Sequence, residues 1–185
     1  MTTDLLATWL EQEAQVKARI EQGVGPGVAK PEQVAGLTGL QIMHAMLRGE
    51  IPYASIAKTL DFMLIEVNSG HAVFQGTPGP AHLNPMGTIH GGWYATLLDS
   101  ALGCAVHTMM PVGRGYTTAE LSVNLVRSIG HKVKRVRAEG KVIHCGRQLA
   151  TAEARLVGPD GTLYAHASTT CLVFDIKTPM NTSPT

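Results

Sequence analysis

Charge of one sign is missing from this 185-residue chain: 15 Lys and Arg stand against 14 Asp and Glu. A generic nucleic-acid or membrane-surface binder carries a basic excess, so neither partner is expected, a local basic patch apart. No run of eighteen apolar residues occurs, which argues against a spanning helix. The first 22 residues hold Asp4 and no apolar core ahead of a small-residue cleavage site, so they do not read as a signal peptide. Cysteine is scarce. Cys104, Cys145 and Cys171 are odd in number, far apart and form no CxxC pair. That excludes a disulfide framework or zinc knuckle, suits a reducing compartment, and makes a cytoplasmic location the expectation. The eight histidines form no HxH, HxxxH or HExxH, so no metal site is expected. A GxSxG elbow is lacking, as is any Gly-rich strand-to-helix loop of the dinucleotide kind, so no cofactor is implied.

What is present is a compact composition. Hydrophobic residues make up 44% and charged residues 16%, enough for one domain with a proper core and an appendage. Leu5, Leu6, Trp9, Leu10, Val16 and Ile20 recur at helical spacing over 4–22, and Gly23 to Gly27 break that helix. Pro31 suits the first turn of a second helix running to Arg48, stopped by Gly49 with Pro52 just beyond. From about Thr59 the texture becomes β-like. Short runs at 60–67 and 71–75 flank Asn68-Ser69-Gly70, one helical segment spans 90–108, and four strands are expected at 116–127, 132–144, 147–158 and 162–174. Gly158-Pro159-Asp160-Gly161 marks the last turn. No internal repeat interrupts this order. Strands with short connections pair antiparallel, and a single helix among them must be covered by the sheet. The expected class is therefore α+β, an antiparallel sheet wrapped around one long helix. Its expected parts are a helical extension over 1–57, the main domain over 58–175 and a tail over 176–185.

Small residues such as Ala95, Ala101, Gly103 and Ala105 suit a wrapped helix, and Asp99 is the only formal charge between His90 and His107. It shares a stripe with Ala95, Leu102 and Val106. A carboxylate in such a setting is costly unless paired, so Asp99 is either a functional group or a structural acceptor at a wet seam. Gly91 and Gly92 fall in the first turn, where backbone N–H groups lack internal partners and lie at the positive end. They serve either a developing oxyanion or only a tight turn. Eight residues of helix separate Gly91 from Asp99 by roughly 12 Å. A base and an oxyanion donor must both lie within about 3 Å of one carbonyl. If both act on one carbonyl, one comes from another subunit.

The string Asn84-x-x-Gly87-x-x-His90-Gly91-Gly92 with Asp99 seven residues on, followed by Thr117-Thr118-Ala-Glu-Leu-Ser-Val-Asn-Leu-Val-Arg127, resembles the PaaI-type hot-dog thioesterases. The Gly146-Arg147 strand entry, the Asp160-Gly161 hairpin and the ending Ser168 to Phe174 also fit, so the resemblance covers about 58–175. One departure is Arg127-Ser128, where the family usually has proline after the arginine. The resemblance implies a hot-dog fold and hydrolysis of acyl-coenzyme A in a homodimer that assembles to a tetramer. Asp99 would be nucleophile or water-activating base, and the Gly91 N–H of the partner subunit would polarise the carbonyl. Asn84 would hold the water or orient the carbonyl, His90 would support Asn84 and its loop, and Thr117 or Thr118 would line the site. A thioester is electrophilic enough that one activated water and one oxyanion donor suffice.

Other readings stay open at this level. The cation-rich run from His131 to Lys141 is either a solvated strand face or a clamp for the phosphates of coenzyme A, with Arg127 and Arg147 as further contributors. Cys104 and His107, at i and i+3, read as a buried structural thiol with a neighbour. A non-catalytic acyl-CoA sensor shares the fold, and so does a hydratase or dehydratase, which needs a catalytic His that Asp99 lacks among the matched motifs.

Overall fold

A computed structural model gives the protein's structure over residues 2–130 and 132–176. Four helices come first: α1 (Thr2–Gln22), α2 (Pro31–Val34), α3 (Gly39–Leu47) and α4 (Ser55–Thr59). The strands β1 (Phe62–Asn68) and β2 (His71–Gly76) follow, then the long helix α5 (Gly91–Thr108). The chain ends in β3 (Arg114–Leu125), β4 (Val136–Cys145), β5 (Leu149–Val157) and β6 (Leu163–Asp175). All neighbours pair antiparallel in the order β1-β2-β4-β5-β6-β3. The expected α+β class is the one observed, and α5 packs in the curve of the sheet.

Alternation explains why the sheet can close on this helix. The inner face carries Ala138 and Gly140 on β4, Ala150, Ala152 and Ala154 on β5, and Ala165 and Ala167 on β6; the alanines are all buried. Residues this small let α5 approach closely. A β-carbon at Gly140 would stand 2.3 Å from the Ala101 carbonyl oxygen. On the helix side, Leu97, Leu98, Ala101, Leu102, Ala105 and Val106 are fully buried.

The N-terminal third differs from expectation in two places. The helix expected over 31–48 breaks at Gly36, whose φ of 75° is left-handed, and restarts at Gly39. Thr38 supplies the new start: its side chain accepts from the Gln41 N–H, and Gln41 reaches back to the Thr38 N–H at 2.8 Å. A short helix, α4, also precedes the sheet; five residues are too few for periodicity to mark. The second strand of the final four begins at 136, because 132–135 form a loop. His131 and all but Ile176 of the expected tail lie outside the described residues.

The helix α1 lies on the convex face of the sheet. Gly76 meets Trp93 and Leu97 of α5, so its neighbour Gln75, paired with Arg137, points the other way. There Arg137 donates to Gln75 (2.8 Å) and to Gln12 (2.7 Å), and its guanidinium lies 4.5 Å from the centre of the Trp9 ring. Arg135 makes a two-pronged pair with Glu13, which also accepts from Gln75. Burial by itself would raise the Glu13 carboxyl. The hydrogen bonds from Arg135 and Gln75, with the Arg135 charge, outweigh it and hold Glu13 below its usual value.

Two outcomes follow for stability. Gly140→Ala drives backbone against backbone and should cost at least about 3 kcal/mol, read by urea unfolding. Glu13→Gln leaves Arg135 half-paired and should cost about 2 kcal/mol at pH 7, discounted for partial exposure. Because the folded Glu13 lies below its unfolded value of 4.5, its contribution is whole above that pH and is lost as pH falls through the folded value. The stability gap between wild type and Glu13→Gln should therefore shrink in acid; a constant gap from pH 7 to pH 3 contradicts this account.

Candidate active site

Asp99 sits half-buried on α5, beside fully buried Leu98 and Leu102, and it faces a cavity. That cavity encloses about 230 Å³. Ser100, Gly103 and Cys104 of α5 line it, together with Tyr116 and Thr118 of β3. The Thr118 hydroxyl donates to Asp99 Oδ1 at 3.2 Å, which orients the carboxylate and leaves Oδ2 open. Thr118 is therefore the threonine brought to the acid. Thr117 alternates to the other face of β3 and does not line the cavity.

A bulge between Thr118 and Glu120 makes this geometry work. Before it, even positions Tyr116 and Thr118 face α5; after it, odd positions Leu121 and Val123 pack on the core. The extra residue flips the parity, as bulges do. Gly103 is required beneath Tyr116, since a β-carbon there would stand 2.7 Å from the Tyr116 hydroxyl. Burial pushes the Cys104 thiol up to about 12, with the Asp99 charge adding to it, so no thiolate nucleophile is offered. Burial lowers His107, whose Nε2 has no hydrogen-bond partner among the described residues.

The other expected residues gather at the opposite end of α5. Asn84, Gly91 and Arg127 line a second, open cavity of about 350 Å³ with Tyr94 and Leu125. His90 caps the helix: its Nδ1 accepts from the Gly92 N–H at 2.9 Å, which puts the proton of the neutral ring on Nε2. Among the described residues no acceptor meets the Gly91 N–H. A β-carbon at Gly91 would lie 2.9 Å from Leu125 Cδ1, so glycine leaves room for that side chain beside the helix start. Asn84 is engaged with its own loop, accepting from Met86 and Thr88 N–H groups at 3.0 and 3.2 Å and donating to the Thr88 hydroxyl at 2.8 Å. Among the described residues its side-chain hydrogen bonds run to Met86 and Thr88 and not to His90.

Within one chain the acid and the free helix start thus face different cavities, roughly 12 Å apart along the helix. The exposed arginines divide in the same way. Arg127 follows the end of β3, whereas the Arg147 carbonyl accepts from Arg114 at its beginning. Arg135 and Arg137, weighed above as a phosphate clamp, are instead occupied by α1, and the buried Arg137 is not a solvated cation. Sequence reasoning missed the far wall of the Asp99 cavity: Ile20 of α1, Met46 and Leu47 of α3, Tyr53, and Ala57 of α4. Glycines at crossing points were the available signal. A β-carbon at Gly39 would stand 1.8 Å from the His107 carbonyl oxygen, and one at Gly23 would stand 2.3 Å from that of Gly49. Among the described residues no cluster of His, Cys, Asp or Glu could hold a metal, and no helix is long and apolar enough to cross a membrane.

Residues 86–165 match the model of the Thioesterase superfamily. The fold is similar to that of the phenylacetic acid degradation protein PaaI from Thermus thermophilus, with 27% identity over 63% of this chain and 96% of that one (TM-score 0.57). A thioesterase from Haemophilus influenzae superimposes with a TM-score of 0.62 at 16% identity, over 69% and 87% of the two chains. A hypothetical thioesterase protein from Streptococcus pneumoniae, solved with coenzyme A, gives a TM-score of 0.58 at 22% identity over 66% and 94%. No curated protein matches the chain. The resemblance to the PaaI-type hot-dog thioesterases drawn from the residues therefore stands, in the matched segment and in the fold alike.

Proposed function

We propose that the protein is an acyl-CoA thioesterase, acting in the cytoplasm as a homodimer that assembles further to a tetramer, with each active site shared between two subunits. The carrying observation is the separation of Asp99 from the Gly91 N–H onto two cavities of one chain. The edge strand β3 gives the means to reunite them. It runs for 12 residues with one side unpaired, a template for pairing with another strand. Its start lies by Asp99 through Thr118, and its end lies by Gly91 through Leu125. Antiparallel pairing of two β3 strands about a two-fold axis sets the start of one beside the end of the other. The Asp99 of one subunit then meets the Gly91 end of its partner, and the arginine after one strand end approaches the Arg147 turn of the other.

In this site the Gly91 N–H, at the positive end of α5, stabilises charge growing on the thioester oxygen. Asp99, held by Thr118, takes a proton from water as the water oxygen bonds the carbonyl carbon. The carbon–sulfur bond then breaks, and the proton passes to the departing coenzyme A thiolate. Direct attack by Asp99 gives an acyl-aspartyl anhydride, which water cleaves to the same products. Asn84 holds the water or the carbonyl at the partner's end, and His90 fixes the helix start. Arg127 and Arg147 are placed to meet phosphates of coenzyme A. The helical segment 1–57, the hot-dog domain 58–175 and the tail 176–185 are the functional divisions in this reading. No histidine of the same chain lines the Asp99 cavity among the described residues, which disfavours a hydratase.

Thiol release from a panel of acyl-CoAs tests the activity, and Asp99→Asn should lower kcat at least about 100-fold with KM little changed. Sharing has its own test. Proline is tolerated at a first helical position, and His90 has the extended ψ of 135° that a following proline needs. Gly91→Pro therefore removes the donor while keeping the helix start, its β-carbon displacing only the flexible end of Leu125, with an expected loss of about 100-fold. Mixed dimers of Asp99→Asn and Gly91→Pro chains contain one intact site of two and should recover about half the wild-type rate per dimer. Mixtures as inert as either parent would contradict a shared site.

A further inference from the structure

The cavity beside Asp99 has a division of labour that the acid alone does not explain. Its polar lining, Asp99, Ser100, Tyr116 and Thr118, comes from α5 and β3. Its far wall is apolar apart from one tyrosine hydroxyl, and it is built by the N-terminal third: Met46 and Leu47 of α3, Tyr53, and Ala57 of α4, closing over Phe62 and Phe74. That wall is anchored. The backbone of Tyr53 is held by Gly25 and Gly27 at 3.3 and 2.9 Å, Gly39 donates to the Met110 carbonyl at 2.9 Å, and α1 is tied to the sheet through Gln12–Arg137 and Glu13–Gln75. The wall belongs to the same chain as Asp99, so it accompanies the acid whatever the partner supplies.

We infer that the N-terminal helices form, in cis, the closed end of an acyl chamber that selects a medium-sized apolar acyl group of about eight carbons. This rests on the thioesterase reading above and adds the substrate class. At about 30 Å³ for each water-sized group, 230 Å³ takes roughly seven or eight such groups. An acetyl group leaves most of the chamber unfilled, and a sixteen-carbon chain overruns the wall. Ala57 is 4% exposed and lines the chamber, with a smaller cavity of about 210 Å³ beside Lys17 and Lys58 on its other side, so a ring-sized side chain there crowds the chamber's far end. Met46 is an unbranched side chain on the same wall, and its truncation deepens the chamber.

The test uses the full-length protein with the thioether analogues S-ethyl-, S-octyl- and S-hexadecyl-CoA, measured by calorimetry, beside kcat/KM for acyl-CoAs of two to sixteen carbons. Wild type should bind S-octyl-CoA at least about tenfold tighter than either other analogue. Ala57→Phe should weaken S-octyl-CoA at least about tenfold while leaving S-ethyl-CoA within about twofold. Met46→Ala, which keeps the fold if bulk at position 57 disturbs it, should move the optimum two to three carbons longer, as one deleted side chain of about three heavy atoms frees. Unfolding curves check both variants. Hydrolysis with an unchanged length profile in both variants overturns the chamber and leaves the thioesterase standing. Binding with the expected profile but no hydrolysis does the reverse. No preference for S-octyl-CoA in wild type overturns the inference outright.

Discussion

Everything in this molecule is organised around how closely a six-stranded sheet can approach one helix. Ala138, Gly140, Ala150, Ala152, Ala154, Ala165 and Ala167 leave no side chains long enough to hold α5 away, and the helix answers with Ala101, Gly103 and Ala105. Contact at this distance excludes water and rewards dense packing, so the buried stretch of α5 is rigid. A rigid helix fixes the spacing of whatever it carries. Asp99 and the Gly91 N–H are held apart by helical rise, and no flexing of one chain brings them to the same carbonyl.

The same tightness explains why the cavity lies where it does. At Gly103 the helix surface drops back beneath Tyr116, and at Ser100 and Cys104 it presents short side chains. The space lies between Tyr116 and Thr118 of β3 and Phe62, Leu64 and Phe74 of β1 and β2, and α3 and α4 close it. A roof made of short helices needs support, and α1 provides it: Ile20 joins the wall, while the Glu13, Gln75, Arg135 and Arg137 cluster anchors the helix on the sheet's outer face. Charged groups in that cluster satisfy one another, which is the condition under which half-buried guanidinium and carboxylate groups are tolerable.

The sheet and the long helix could be read from the residues because their signals are local. Strand alternation, the Asp160-Gly161 turn and the His90-Gly91-Gly92 start each depend on neighbours within a few positions. Asp99 stood out by the same kind of contrast, one charge on an apolar stripe. The far wall of its cavity left no such mark: Met46, Tyr53 and Ala57 meet Phe62 and Phe74 through contacts that periodicity does not register. Arg135 and Arg137 show the limit most clearly. In sequence they are two cations in a cation-rich run, open to a phosphate; in the fold their partners Glu13 and Gln12 lie 122 and 125 residues away. The choice between Thr117 and Thr118 was equally hidden, because it turns on a bulge that shifts side-chain parity by one.

These constraints bear on how the proposed site is divided. The acid, its threonine and the apolar wall are parts of one chain and one cavity, so in the proposed dimer the acyl group would be recognised by the subunit that carries the acid. The oxyanion donor, Asn84 and Arg127 lie at the other end of α5, beside the end of the exposed β3 strand. A subunit alone then holds two half-sites, one suited to the acyl chain and the other to the carbonyl oxygen and the nucleotide. Neither half performs the reaction, because a polarised carbonyl without a base, or a base without a polarised carbonyl, lacks the convergence that acyl transfer needs. In the proposed dimer, β3 pairing is therefore part of the chemistry and not only of stability: the unpaired edge that would otherwise be a liability is the element proposed to bring the two halves into register.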